Sequence, residues 1–184
     1  MQRSHIRHAA RILARGGVAL YPTEGVWGLG CDPLNVQAVS RILALKQRAP
    51  DKGLIVVADD VALLRPYLAD AHTVDALAQA PSATPTTFVV PAAGWVPAWL
   101  TGGRDTLAVR LTRHPVAAAL SSALAAPIVS TSANLAGRPA TARRFGIAPS
   151  IWHGVDVRLG GQTGGLKGAT PIIDQRSGQR LRGS

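Results

Sequence analysis

Apolar positions recur along this chain with two periods, and the alternation between the periods sets the expected fold. Ile6, Ala9, Ala10 and Leu13 fall at helical spacing behind Ser4, a candidate N-cap, and Gly16-Gly17 stops the run. Val18 to Tyr21 reads as a short buried strand ending at Pro22, followed by a glycine-rich loop over Gly25 to Gly30. A second amphipathic helix is predicted from about Asn35 to Lys46, with Val39, Ile42, Leu43 and Leu45 apolar. Leu54 to Val57 reads as a strand, and Asp59-Asp60 as the cap of the next helix. Further strands are expected over Thr86 to Val90, Leu107 to Leu111 and Pro127 to Thr131. His114-Pro115 opens a helix through Ala125. The glycine-rich last quarter holds short strand candidates at Val155 to Leu159 and Pro171 to Asp174.

Alternating strands and helices, with both wholly apolar and mixed strands, predict an α/β domain with a mixed sheet. Ala80 to Pro85 and Ala136 to Thr141 read as loops inside it, so residues 1–184 are expected to form a single domain. The hydrophobic fraction of 47% and charged fraction of 16% fit a globular chain. With aromatics at 4%, its core must be mostly Ala, Val, Leu and Ile. Twenty Lys and Arg against ten Asp and Glu give a net charge of +10. That balance suits polyanions such as nucleotide phosphates or nucleic acid, or else a solvated arginine-rich surface. The single cysteine, Cys31, excludes an internal disulfide and a cysteine-based zinc site within one chain. No run approaches the roughly 18–20 apolar residues of a membrane span, and a cytoplasmic location without membrane contact is expected. The five histidines show no metal-ligand spacing, and no metal site is assigned.

Polar clusters follow several of the expected strands, where open α/β sheets bind ligands. Glu24, the one glutamate in the chain, could orient a ligand, pair with an arginine or cap a segment. Lys46-Gln47-Arg48-Ala49-Pro50-Asp51-Lys52 offers a phosphate clamp, or simply cations that complement a helix dipole. Ser130-Thr131-Ser132-Ala133-Asn134 mixes donors and acceptors suited to a nucleotide or an amino acid, or to capping. Arg110, in Thr106 to Arg110, either points into a cleft to meet a carboxylate or lies on the wet face of the sheet. Gly160 to Thr170 looks like a phosphate-binding P-loop but lacks the required spacing, so any ATP is bound by another device.

Taken in order, these clusters resemble the TsaC/YrdC family. The resemblance rests on Pro22-Thr23-Glu24 with Gly28-Leu29-Gly30, Lys46-x-Arg48, Val109-Arg110 with His114-Pro115, and Ser130-x-Ser132-x-Asn134. It extends to Asp51-Lys52-Gly53-Leu54-Ile55, Trp99-Leu100-Thr101-Gly102 and Leu181-Arg182-Gly183, and covers essentially the whole chain in the short bacterial form. It implies a twisted open sheet with flanking helices and a basic concave face. The implied reaction condenses L-threonine, bicarbonate and ATP to threonylcarbamoyl-AMP and pyrophosphate. Downstream proteins then transfer the threonylcarbamoyl group to the adenosine beside the anticodon of certain tRNAs.

The resemblance places Arg48, Lys52, Thr106, Ser132, Asn134 and Arg182 on ATP, and Thr23, Arg110, Ser130 and Thr170 on threonine. Lys46 and Arg48 become the catalytic pair, stabilising charge on the phosphate oxygens, and Mg²⁺ would bridge those phosphates. Three positions and one stretch depart from the family pattern: Gly25 stands for a Thr, Val57 for a His and Thr170 for a Ser, and Ser82-Ala83-Thr84-Pro85 stands for Trp-Pro-Gly-Pro. The alternative is a non-enzymatic module of the same fold that binds tRNA or double-stranded RNA. The charge fits it, but aromatic platforms for stacking single-stranded bases are not evident in the sequence.

Overall fold

The computed structural model describes residues 3–79 and 84–182. Helix α1 (Arg3–Ala14) buries Ile6, Ala9, Ala10 and Leu13, as its spacing predicts. Ser4 lies inside this helix rather than capping it, because Arg3 is already helical. Gly16, at φ 83°, turns the chain into β1 (Ala19–Pro22), which pairs antiparallel with β2 (Trp27–Gly30). The stretch Gly25 to Gly30, expected as a loop, is thus a strand over its last four residues. Close contact explains its glycines: a Cβ on Gly30 would lie 2.5 Å from the Val129 carbonyl oxygen and 2.8 Å from the Tyr21 ring.

Helix α2 (Val36–Lys46) starts at Asn35, whose side chain accepts from the Ala38 amide at 2.9 Å. Strand β3 (Ile55–Ala58) leads to α3 (Val61–Leu64), where Asp60 caps as expected by accepting from the Ala62 amide at 2.8 Å. The elements α4 (Ala71–Ala78), β4 (Thr87–Pro91), α5 (Ala98–Thr101) and β5 (Thr106–Leu111) follow. Of the loop expected over Ala80 to Pro85, residues 80–83 lie outside the described residues, as does most of the Ser82-Ala83-Thr84-Pro85 departure. Helix α6 (Pro115–Leu124) opens behind His114 and closes on Ala125 at φ 54°. The strand expected over Pro127 to Thr131 is broken at Ser130 into β6 (Ile128–Val129) and β7 (Thr131–Ser132). Then come α7 (Pro149–Gly154), β8 (Val157–Arg158), β9 (Ile172–Asp174) and β10 (Arg180–Arg182), the last without a strand pattern of its own.

The strands form two mixed sheets, of order β7-β2-β1-β8 and β10-β9-β4-β5-β3-β6. In the larger one β5 runs parallel to β3 and antiparallel to β4, which sets Val57 opposite Arg110 and Ile55 opposite Ala108. One apolar cluster joins α2, α7 and the sheets through Leu20, Leu29, Ile42, Val56, Val109 and Ile151. A second packs α1 and α6 over Tyr21, Val57 and Ile128. Full burial of a side chain such as Leu13 or Leu120 stabilises by roughly 1.5–3 kcal/mol. No helix among the described residues is long and apolar enough to cross a membrane.

Candidate active site

The break at Ser130 places the chemistry. The Ser130 amide donates to the Ile55 carbonyl at 2.8 Å, and the next two residues then pair with β2. One short segment therefore crosses from the larger sheet to the smaller, and a cleft of about 440 Å³ opens beside the crossing. Thr23, Arg48, Lys52, Thr106, Arg110, Ser130, Ser132, Thr170 and Arg182 all line it, although the sequence scatters them over most of the chain. Lys46 and Asn134 do not line it.

At one end the lining is cationic. Arg48 Nη2 donates to the carbonyls of Gly53 at 3.0 Å and Lys52 at 3.4 Å, while its Nε is buried without a partner. Burial holds the Arg48 guanidinium below its usual pKa against the opposing pull of Asp51. Arg182 is lowered as well, by burial first and then by the positive charges of Arg110 and Arg48. Arg104, which sequence reasoning missed, joins this end with Nη1 donating to the Asp51 carbonyl at 3.1 Å. The signal that could have found it is Gly102-Gly103: both have positive φ, and a Cβ on Gly102 would lie 2.3 Å from the same carbonyl oxygen. Among the described residues none of Arg48, Lys52, Arg104 or Arg182 forms an ion pair. Uncompensated cations around a cleft make an anion site.

The other end is neutralised. Arg110 is 4% exposed, and its Nη2 lies 3.3 Å from Glu24 Oε2. Its Nη1 donates to Thr87 Oγ1 at 3.2 Å and Thr170 Oγ1 at 3.1 Å, and its Nε has no partner. Of the three roles open to Glu24, the fold realises pairing with an arginine, and Thr112 Oγ1 donates to Glu24 Oε1 at 2.6 Å. Burial pushes the Glu24 carboxyl upward, but Arg110, the Thr112 hydroxyl, a backbone amide and His114 together hold it below the usual value. Val57, though opposite Arg110, is fully buried in the α1–α6 cluster and does not line the cleft. The segment Gly160 to Ala169 is tied like a strap along Thr23 and Glu24, whose carbonyls accept from the Gly164 and Leu166 amides, and of it Ala169 reaches the cleft lining. His114 Nε2 donates to the Gln162 carbonyl at 3.0 Å while its Nδ1 accepts from the Val116 amide at 3.3 Å, which puts the ring proton on Nε2.

Lys46 sits behind the cleft wall, 2% exposed. Its Nζ donates to the carbonyl of Ser132, to that of Asn134 at 2.9 Å and to Asn134 Oδ1 at 3.4 Å. Burial, and next the charge of Arg48, pull its pKa down to about 8. The Asn134 amide nitrogen donates to the carbonyls of Leu135 at 3.0 Å and Arg138 at 2.6 Å. These two residues brace β7 from behind.

A basic aromatic surface lies elsewhere. Phe145 is 91% exposed with the Arg144 guanidinium 4.9 Å over its ring, and Arg144 and Arg158 stand 5.7 and 5.2 Å over Trp152. Stacking groups that the sequence did not reveal are therefore present, because the fold gathers residues that lie up to fourteen positions apart. No group of three or more His, Cys, Asp or Glu that could hold a metal ion occurs among the described residues. Asp174 is the one carboxylate among the described residues lining the cleft, and its Oδ1 accepts from the Ser177 amide at 2.8 Å.

A family model described as Sua5/YciO/YrdC, telomere recombination, matches residues 11–183. The chain is 48% identical over 179 residues to a threonylcarbamoyl-AMP synthase of Xanthomonas campestris pv. campestris, covering 95% of each chain. It is 50% identical over 188 residues to the synthase of Halorhodospira halophila, covering 96% of this chain and 93% of that one. The crystal structure of P. abyssi Sua5 complexed with L-threonine superposes with a TM-score of 0.83 at 31% identity over 94% of this chain. The chain spans about half the length of the Sua5 chains it matches, 52% of that one.

Proposed function

The chain belongs to the Sua5/YciO/YrdC family, and we propose on that premise that it is a threonylcarbamoyl-AMP synthase, a nucleotidyltransferase acting on L-threonine, bicarbonate and ATP. One observation carries the reading: unpaired cations at one end of a single cleft, a charge-neutralised arginine with hydroxyls at the other, and the Ser130 crossing beside them.

In this reading Arg48, Lys52, Arg104 and Arg182 hold the triphosphate, with Thr106 and Ser132 on the nucleoside. Arg110 meets the threonine carboxylate, with Thr23, Ser130 and Thr170 around the amino acid. The threonine nitrogen adds to the bicarbonate carbon, water departs, and a carbamate results. A carbamate oxygen then attacks the α-phosphorus, and the bond to the β-phosphate breaks to release pyrophosphate. Charge gathers on phosphate oxygens in that step, and fixed guanidinium groups stabilise it without a covalent enzyme intermediate. Arg110 suits a single carboxylate because Glu24 already offsets part of its charge.

Lys46 and Asn134 act at one remove, holding the β7 backbone so that Ser132 faces the cleft. A lining with one carboxylate fits Mg²⁺ only as an ion carried in on the nucleotide, where it would add positive charge at the phosphates. Residues 1–184 act as one domain, in the cytoplasm. The product passes to proteins that modify tRNA, and the Arg144–Phe145–Trp152–Arg158 surface is the candidate contact for tRNA or double-stranded RNA. The test is incubation with ATP, bicarbonate and threonine while pyrophosphate is followed. Threonine-dependent release is expected; no release alongside tight RNA binding rejects the enzyme in favour of an RNA-binding module.

A further inference from the structure

We propose that Gly25 is a positioning residue for the amino-acid end of the cleft, acting through the strap that it seats. The proposal rests on the synthase reading above and deepens it at the threonine site.

A Cβ built on Gly25 would lie 1.8 Å from the Gly168 carbonyl oxygen and 3.0 Å from that of Leu166. Both oxygens belong to the main chain, so no rotamer change relieves the clash; the strap itself must move. The Gly25 backbone does not need a positive φ, so the demand for glycine comes from this contact alone. Two hydrogen bonds set the register of the seat: the Gly164 amide donates to the Thr23 carbonyl and the Leu166 amide to the Glu24 carbonyl, each at 3.0 Å. Beyond the seat, Ala169 and Thr170 enter the cleft lining. There Thr170 Oγ1 accepts from Arg110, and the Thr170 carbonyl accepts from Arg182 Nη2 at 3.3 Å. The missing side chain of Gly25 therefore fixes the strap, the strap fixes Thr170, and Thr170 helps to aim Arg110. Arg48 and Lys52 are held by their own segment and by α5, and stand apart from this chain of contacts.

Three glycines graded by crowding make the test. A Cβ on Gly160, in the same strap, meets nothing within 4 Å; one on Gly164 lies 3.0 Å from the Glu24 carbonyl oxygen and 3.2 Å from its Cα; Gly25 is the most crowded. Each is changed to alanine, and KM for threonine and for ATP are measured separately from pyrophosphate release. Gly160→Ala leaves both unchanged. Gly164→Ala raises KM for threonine a few-fold, and Gly25→Ala raises it at least about tenfold, as loss of a hydrogen bond to a charged group does. KM for ATP stays unchanged in Gly160→Ala and rises clearly less than KM for threonine in the other two, because of the cations at the phosphates only Arg182 rests on Thr170. Equal KM for threonine in Gly25→Ala and the parent protein overturns the proposal, and so does a parallel rise for both substrates. Should Gly25→Ala fail to fold, judged by its thermal midpoint, Gly164→Ala decides, and an unchanged KM for threonine there overturns it. Absence of threonine-dependent release by the parent protein is a different failure, that of the synthase reading.

Discussion

The two ends of the cleft are built on opposite plans. At the cationic end, long side chains lean on main-chain carbonyls, and among the described residues no carboxylate pairs with them. At the neutralised end the positive charge is paired and buried, and main chain lies directly on main chain. The first plan leaves charge available for an incoming anion at little cost in stability, since the guanidinium groups remain partly solvated. The second spends its charge inside the fold and leaves shape to do the selecting. Loss of a side chain should therefore disable the first end while sparing the fold, whereas loss of a partner should harm the fold at the second.

The largest expected effect tests the second half of that contrast. Glu24→Ala leaves the Arg110 charge buried without compensation, which costs about 3–5 kcal/mol of stability. Denaturant unfolding measures it, and a loss under about 1 kcal/mol would mean the pair is solvated and the ends are alike. Next, Arg48→Ala should lower kcat/KM by about 10²–10³-fold while its unfolding midpoint stays near that of the parent protein. A large drop in stability would erase the distinction from the other side.

A third prediction concerns Lys46, which belongs to neither end. Its pKa in the fold is about 8 against an ordinary 10.5, so between those values the unfolded chain binds the proton more strongly. Stability contributed by this residue therefore rises as pH climbs from about 8 to about 10.5, and is lowest below that window. Thermal midpoints across the range should show the rise in the parent protein and not in Lys46→Met. The smallest effect serves as a baseline: Asp60→Ala removes the α3 cap, which is outside the cleft lining, costs about 1 kcal/mol and leaves both KM values unchanged.

Much of this was legible in the sequence because periodicity and capping are local. Asn35, Asp60 and His114 each stand where their helices begin, and nine of the residues assigned to ATP or threonine do meet in one cleft. What escaped was non-local. Glycine has low strand propensity, so Trp27 to Gly30 resembled a loop; the approach of the Val129 carbonyl that demands Gly30 comes from a distant part of the chain. The apolar-to-polar run Pro127 to Thr131 looked continuous because a strand that changes sheets keeps its extended backbone throughout. Lys46 read as a cleft residue since its charge was visible and its burial was not. Arg104 lacked any motif of its own and is brought in by a turn.

The placement of Lys46 has a practical consequence. The chain contains three lysines, and the other two, Lys52 and Lys167, are exposed. Amine-acylating reagents will mark those two within moments of mixing, whereas Lys46 reacts when β7 lifts from its ammonium group. Timed labelling read by mass spectrometry thus turns this one side chain into a built-in clock for the opening of the wall, needing neither substrate nor an introduced probe.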